Sequence, residues 1–214
     1  MFFNIFFRYK KNEKLFDNMG IEIYENKVNV ICGHNGAGKT TLLKVISGIL
    51  PSGISEPKGW YVPPTGGLIQ HFSLKDHLKI LDIKENDKEL VQEVIELFDV
   101  ASFEKKQICS LSTGQIMMVA LIVAIASGNE LLLLDEPFGS LDPTNAEKLS
   151  SLLKKICTFG KTVLITSHDL YLSSETADVI YFIKKGKISW SSIQEDKDKS
   201  FSVEELKERY IKYA

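Results

Sequence analysis

Cysteine is scarce in this sequence. Three are present, Cys32, Cys109 and Cys157, with no Cys-x-x-Cys spacing. So sparse and odd a set argues against a disulfide framework or a zinc site, and favours reduced thiols in a cytosolic protein. Net charge is also nearly absent: 26 Lys and Arg against 28 Asp and Glu give −2. That removes any global electrostatic reason to expect nucleic-acid binding, and no nucleic-acid partner is expected. Long apolar runs are missing too. Met1 to Phe7 is apolar, but it has no basic residues before it and no small-residue cleavage site. It reads as an edge or early strand rather than a targeting segment. Ile116 to Ala126 is almost wholly apolar, yet Ser127-Gly128-Asn129-Glu130 interrupts it, well short of the about 20 residues that span a bilayer. A helix buried on all sides is expected there. The chain itself should not cross a membrane. Internal repeats and low-complexity stretches are lacking. What remains is an ordinary globular composition, 214 residues with 44% hydrophobic and 25% charged, enough for one domain with ample core.

Against that background one stretch stands out: Gly33-His34-Asn35-Gly36-Ala37-Gly38-Lys39-Thr40-Thr41. It follows an apolar run, Val28 to Cys32, that reads as a buried strand. It leads into Leu42 to Ile46, which reads as the first turns of a helix. Strand, glycine-rich loop, Lys-Thr and helix make the P-loop arrangement. The glycines let the backbone bend so that several N–H groups point at an anion. The following helix offers its free N–H groups and the positive end of its dipole to the same phosphates. Lys39 is suited to the β- and γ-phosphates, and the Thr40 hydroxyl to Mg²⁺.

Around this loop the pattern predicts strands over 2–9 and 16–24, with Lys10 to Lys14 as a polar turn. The P-loop helix should stop near Leu50, because Pro51 cannot continue it. Trp60-Tyr61-Val62 reads as a short strand. Ser73-Leu74-Lys75-Asp76 has capping-box form and should open a helix to about Leu81. Asn86 to Glu89 opens another, with Leu90, Val91, Val94, Ile95, Leu97 and Phe98 at helical spacing. Leu131 to Leu134 is a buried strand ending in Asp135-Glu136. A helix begins at Asp142-Pro143 and is closed by Gly160. Thr162 to Thr166 is a further buried strand. Val179–Ile183 and Lys187–Trp190 form a hairpin across Lys184-Lys185-Gly186, with the lysine pairs read as solvated turns. Ser202 caps a last helix with Val203, Leu206, Tyr210 and Tyr213 on one face. Buried strands alternating with helices predict an α/β fold: a P-loop NTPase core with a mostly parallel sheet, an N-terminal antiparallel β part and a small helical insert. The expected organisation is a single domain, 1–71 and 111–214 as the nucleotide-binding core and about 72–110 as the helical insert.

The acids at the end of the 131–134 strand narrow the chemistry. An acid ending a buried strand sits at the carboxyl edge of a parallel sheet, where ligands bind. Asp135 suits organising Mg²⁺, and Glu136, one residue on, points differently and can polarise an attacking water. Leu111-Ser112-Thr113-Gly114-Gln115, by itself an ordinary helix N-cap, lies about twenty residues earlier at the start of the apolar helix. In that place it resembles the Leu-Ser-Gly-Gly-Gln signature of ABC-type ATPases. The likeness then extends over nearly the whole chain. Gly33 to Thr41 resembles the Walker A loop, and Leu131 to Asp135 Walker B. Glu136 stands where the family has its catalytic glutamate, His168 where it has its switch histidine, and Tyr9 where an aromatic residue stacks on adenine. Ser140-Leu141-Asp142 resembles the D-loop.

The resemblance implies an ATP hydrolase that uses ATP and Mg²⁺, with Thr40 and Asp135 at the metal and Ser112, Thr113, Gly114 and Gln115 acting in trans. Two chains, identical or paralogous, would close head-to-tail over two ATP molecules. They would be docked on a separate transmembrane permease at the cytoplasmic face of the membrane. Small size resembles stand-alone ATPase subunits of export systems. A permease-free ABC ATPase and a slowly hydrolysing ATP-dependent clamp are the alternatives. Four departures from the family pattern stand out. Pro64 follows Tyr61-Val62-Pro63 where the family usually has Gln, and Gln70 lies six residues later. Thr113 replaces a glycine of the signature. Ile116-Met117-Met118 replaces the basic residues that often follow it. The segment from Ser52 to Trp60 is short, so the β-hairpin that usually decorates it should be trimmed.

Overall fold

Every residue of β3 (Val28–Cys32), β5 (Leu131–Asp135) and β6 (Thr162–Ser167) is buried. Strands covered on both faces must be apolar at successive positions, and that is the mark of a parallel sheet in an α/β fold. The computed structural model describes residues 1–10, 13–51, 58–194 and 202–214. With β4 (Trp60–Val62), β7 (Val179–Lys184) and β8 (Lys187–Ser191), these strands form one six-stranded sheet in the order β4-β5-β6-β3-β7-β8. All pairs are parallel except the β7–β8 hairpin at the edge. A separate antiparallel ribbon pairs β1 (Phe2–Lys10) with β2 (Glu13–Glu22).

Because side chains alternate across a sheet, its two faces build two cores. Val28, Val30, Cys32, Leu132, Leu134, Val163 and Ile165 join one cluster with the helices. Ile31, Leu131, Leu133 and Leu164 join the other, with the β1–β2 ribbon and α1 (Lys39–Ile46). The first core is filled chiefly by α4 (Thr113–Ala126), in which residues 117–126 are all buried. Its expectation as a helix with no polar face is met, and at about 1.5–3 kcal/mol for each large apolar side chain this burial anchors the domain. α2 (Leu74–Lys79) and α3 (Glu85–Leu97) pack on α4. α5 (Pro143–Thr158), α6 (Leu170–Thr176) and α7 (Val203–Tyr213) complete the layer.

Several boundaries differ from the sequence reading. β2 begins at Glu13 and stops at Glu22, rather than running 16–24, because ladder pairing continues to Lys10 opposite Glu13. Residues 11 and 12 of the polar turn, and most of the short 52–60 segment, lie outside the described residues. α1 ends at Ile46 and not near Leu50. Gly48 adopts φ 78°, and the Leu50 amide turns back to the Lys44 carbonyl, so a left-handed glycine rather than Pro51 stops the helix. On α7, Leu206, Tyr210 and Tyr213 face the core as expected, whereas Val203 is not among the residues packed on it. α6 was not anticipated: it is short, and its one local signal is Asp169, whose carboxylate caps the Leu172 amide at 3.0 Å. The capping box at Ser73 is present with Asp76 in the role usually filled by Glu or Gln, and its hydrogen bonds to Ser73 hold the Asp76 carboxyl down at about 2.

The helical segment is tied to the sheet by a buried ion pair. Lys161, at the start of β6, meets Asp87 of α3 at 2.7 Å with both side chains under one-tenth exposed. Lys161 also donates to the Asn129 carbonyl, while one Asp87 oxygen has no partner. Removing one partner of such a pair strands the other in a low-dielectric site. Lys161→Met is therefore expected to destabilise the fold by about 3–5 kcal/mol in urea unfolding; the double variant with Asp87→Leu should recover much of that loss.

Candidate functional site: a phosphate loop at the carboxyl edge of the sheet

β3 delivers the chain to the glycine loop, and the loop enters α1 directly. Gly38 is the residue before the helix and sits at φ 107°, a conformation that a side chain would strain. α1 therefore begins without a side-chain cap, and its first N–H groups are left for an anion. Lys39 folds back so that its ammonium donates to the Gly33 carbonyl at 2.7 Å and the His34 carbonyl at 3.4 Å. Tyr9, Lys14, Leu15, His34 to Gly36, Gly38 to Thr41, Glu136 and Lys185 line one cleft of about 600 Å³. Tyr9 comes from β1, half-exposed, with its hydroxyl 2.5 Å from Thr41 Oγ1.

The carboxylates sit at the end of β5. Asp135 is 1% exposed and receives three hydroxyl bonds. Thr40 (3.1 Å) and Thr166 (2.6 Å) donate to Oδ1, and Tyr61 (3.0 Å) donates to Oδ2. The carboxylate and its own burial push the Tyr61 phenol well above its ordinary range, burial contributing most, so that oxygen keeps its proton and remains a donor. Thr40 Oγ1 and Asp135 Oδ1 are 3.1 Å apart, close to the ~2.9 Å between neighbouring oxygens of an octahedron with Mg²⁺–O bonds of 2.0–2.1 Å. Hard oxygens at this spacing fit Mg²⁺.

Glu136 leaves the strand with φ 51°, a left-handed conformation that is costly for a residue with a side chain. Its amide donates to Thr166 Oγ1 at 3.0 Å, which holds the turn. The turned carboxylate bridges Lys39, at 3.6 Å, and His168 Nδ1, at 2.8 Å. His168 follows β6 immediately and is largely exposed. The P-loop, Thr40, Asp135, Glu136 and His168 thus come together in one chain.

Ser112 to Gln115 and Asp142 do not join them. They line a second cleft of about 430 Å³ with Ser140, Leu141 and Asn145. Ser112 is indeed the N-cap of α4: Gln115 N reaches its Oγ at 3.2 Å, and Ser112 N reaches Gln115 Oε1 at 3.0 Å. Its hydroxyl accepts in that cap, so its own proton remains free to donate to an anion. Asp142 caps α5 through the Asn145 amide at 3.1 Å, a bond that lowers its carboxyl below the usual range. Pro64 lies in a turn closed by Gly66 N on the Pro63 carbonyl. Gln70 is exposed, and its amide bonds the Leu68 carbonyl, so it does not take the missing place.

Sequence reasoning missed Thr166, Tyr61 and the cleft-lining Lys14, Leu15 and Lys185. Thr166 and Tyr61 hold Asp135 from neighbouring strands, 31 and 74 residues away in sequence. Lys185, read as part of a solvated turn, lines the cleft because the β7–β8 turn abuts the loop, Gly186 N lying 3.4 Å from the Ala37 carbonyl. The glycine after the lysine pair was the available signal for so close an approach.

Thr166→Val removes both the bond to Asp135 and the acceptor for the Glu136 amide. A loss of about 1–3 kcal/mol in thermal or urea unfolding is expected, together with lower ATP turnover. A second check concerns the thiols. Burial pushes Cys32 and Cys157 up to about 12, and Cys109 alone of the three is exposed. Since the thiolate is the reacting species, iodoacetamide at pH 8 should modify one cysteine in the native chain and all three in denaturant, counted by intact mass.

Known proteins resemble this chain in sequence and in fold. The ABC transporter family profile matches residues 16–139. An uncharacterised ABC transporter ATP-binding protein of Methanocaldococcus jannaschii is 30% identical over 189 residues, spanning 84% of this chain and 72% of that protein. The manganese transport system ATP-binding protein of Listeria monocytogenes is 29% identical over 208 residues, spanning 86% and 87%. A solved structure of an ATP-binding subunit of an ABC transporter superposes with a TM-score of 0.83 at 19% identity, over 98% of this chain and 96% of that one, a likeness of fold. The chain belongs to the ABC transporter family, as one of its ATP-binding ATPase subunits.

Proposed function

We propose that this chain is the ATP-driven motor of a membrane transporter, working as a head-to-tail pair on a separate permease at the cytoplasmic face. The observation that carries this is the division of the site. The phosphate loop lines one cleft, and Ser112 to Gln115 with Asp142 line another. Neither cleft alone surrounds a γ-phosphate. A second subunit, identical or paralogous, that presents its Ser112 hydroxyl and Gly114 amide to the open side of the first cleft would complete the cage. Among the described residues no helix is long and apolar enough to cross a membrane; in this reading the permease supplies the substrate's path.

Within the cleft each group has a distinct task. Tyr9, tethered through Thr41, offers its ring to the base. Lys39 and the loop amides bind the phosphates. Thr40 and Asp135 would hold Mg²⁺, which when bound neutralises charge on the phosphoryl oxygens. Glu136 is the acceptor that orients the attacking water, and His168, bonded to it, fixes its position beside the γ-phosphate. Closure over ATP and opening after hydrolysis make the power stroke. That stroke is the same for either direction, so the permease decides between import and export.

Pro64 favours one second reading, a clamp that dimerises on ATP and hydrolyses slowly, because it offers no side-chain donor or acceptor where the family usually has Gln, and Gln70 bonds the Leu68 carbonyl instead. Steady-state turnover separates the two. The motor predicts that Glu136→Gln lowers kcat by about 10²–10⁴-fold and traps an ATP-bound dimer on gel filtration. Near-equal rates in the two forms favour the clamp. Co-purification of a tagged chain from membranes with a stoichiometric multi-spanning protein is expected. Recovery from the soluble fraction alone would sink the transporter assignment and favour a permease-free ATPase.

A further inference from the structure

The last helix reaches back to the phosphate loop. α7 docks on β7 through Leu206 and Ala214, both buried, and Tyr210, one turn after Leu206 and one before Ala214. Tyr210 packs edge-on against Phe182 of β7, with ring centroids 5.6 Å apart. Its other edge meets His34 of the glycine loop, with centroids 5.0 Å apart and its hydroxyl 3.2 Å from His34 Nδ1. Burial, together with nearby Cys32 and Glu136, raises the Tyr210 phenol above its ordinary range. His34 is not a passive loop residue. Its carbonyl accepts the Ala37 amide at 3.1 Å, and the Lys39 ammonium lies 3.4 Å away. A side chain that fixes the His34 ring therefore fixes the turn that aims the loop amides and Lys39.

We propose that Tyr210 is a positioning residue for nucleotide binding, and that docking of α7 and occupancy of the phosphate loop are thermodynamically coupled through the Tyr210–His34 contact. The argument rests on the P-loop reading of the site. A loop held in its binding shape loses less conformational freedom when phosphate arrives, so affinity rises. By linkage the nucleotide must then tighten α7 by the same factor.

Tyr210→Phe keeps the ring on Phe182 and removes only the hydroxyl. One such hydrogen bond corresponds to about a three- to tenfold change. In the full chain we expect KM for ATP to rise by that factor and kcat to stay within about twofold. Hydrogen exchange supplies a readout that a packing role would not move. ADP should slow exchange of amides 203–214 as well as 33–41 in the wild type, and in Tyr210→Phe the α7 response should disappear. An unchanged KM, or an α7 exchange rate indifferent to ADP while 33–41 is protected, overturns the coupling. If ADP protects neither segment, the P-loop reading itself fails. Should Tyr210→Phe lose stability, the wild-type exchange experiment alone decides.

Discussion

The site depends on one buried carboxylate. Asp135 is almost wholly removed from solvent, and a charge in such a place is tolerable only when its lone pairs are used. Hydroxyls from α1, β4 and the end of β6 use them. That requirement brings three separate elements to one point at the carboxyl edge of the sheet. The same Thr166 that donates to Asp135 receives the Glu136 amide, so both adjacent acids are set by one threonine. Strain is stored one residue further on, where Glu136 takes a left-handed backbone. The hydrogen bond to Thr166 offsets it, and the carboxylate is thereby turned from the strand toward Lys39 and His168.

Two other features keep that point rigid. α4 lies buried along the sheet with its N-cap exposed. The helix therefore serves the core along its length while presenting Ser112 at its tip. The stretch from Ser112 to Gln115 is a capping box; a cap uses the serine's oxygen as acceptor and leaves its proton. On the other flank the β7–β8 turn and α7 press against the glycine loop from outside. The loop is thus held between the strand that enters it, the helix that leaves it and two elements from the end of the chain.

Much of this was legible beforehand. The alternation of buried strands and helices, the loop between β3 and α1, the acids after four leucines, the capping boxes at Ser73 and Ser202 and the N-cap at Ser112 are local signals, and each formed as read. The misreadings have separate causes. Pro51 was taken as the stop of α1, but Gly48 had already ended it, because a helix stops at the first residue that favours a left-handed turn. β2 was drawn too short at its start because its polar residues lack a core-facing pattern, yet ladder bonds to β1 are indifferent to side chains. α6 escaped because seven residues are too few to display a helical period.

The sequence by itself determined where the glycine loop, the strand-ending acids and the helix cap form, because each is defined by neighbours in the chain. It also determined the parallel sheet, since continuous apolar runs admit few other fates. Only the tertiary structure decided who supports those residues. Tyr61 and Thr166 on Asp135, Lys161 against Asp87, and Tyr210 on His34 join positions 31 to 176 residues apart. No local propensity encodes such pairs. They follow from strand order and helix docking, which set distances in space that spacing along the chain does not.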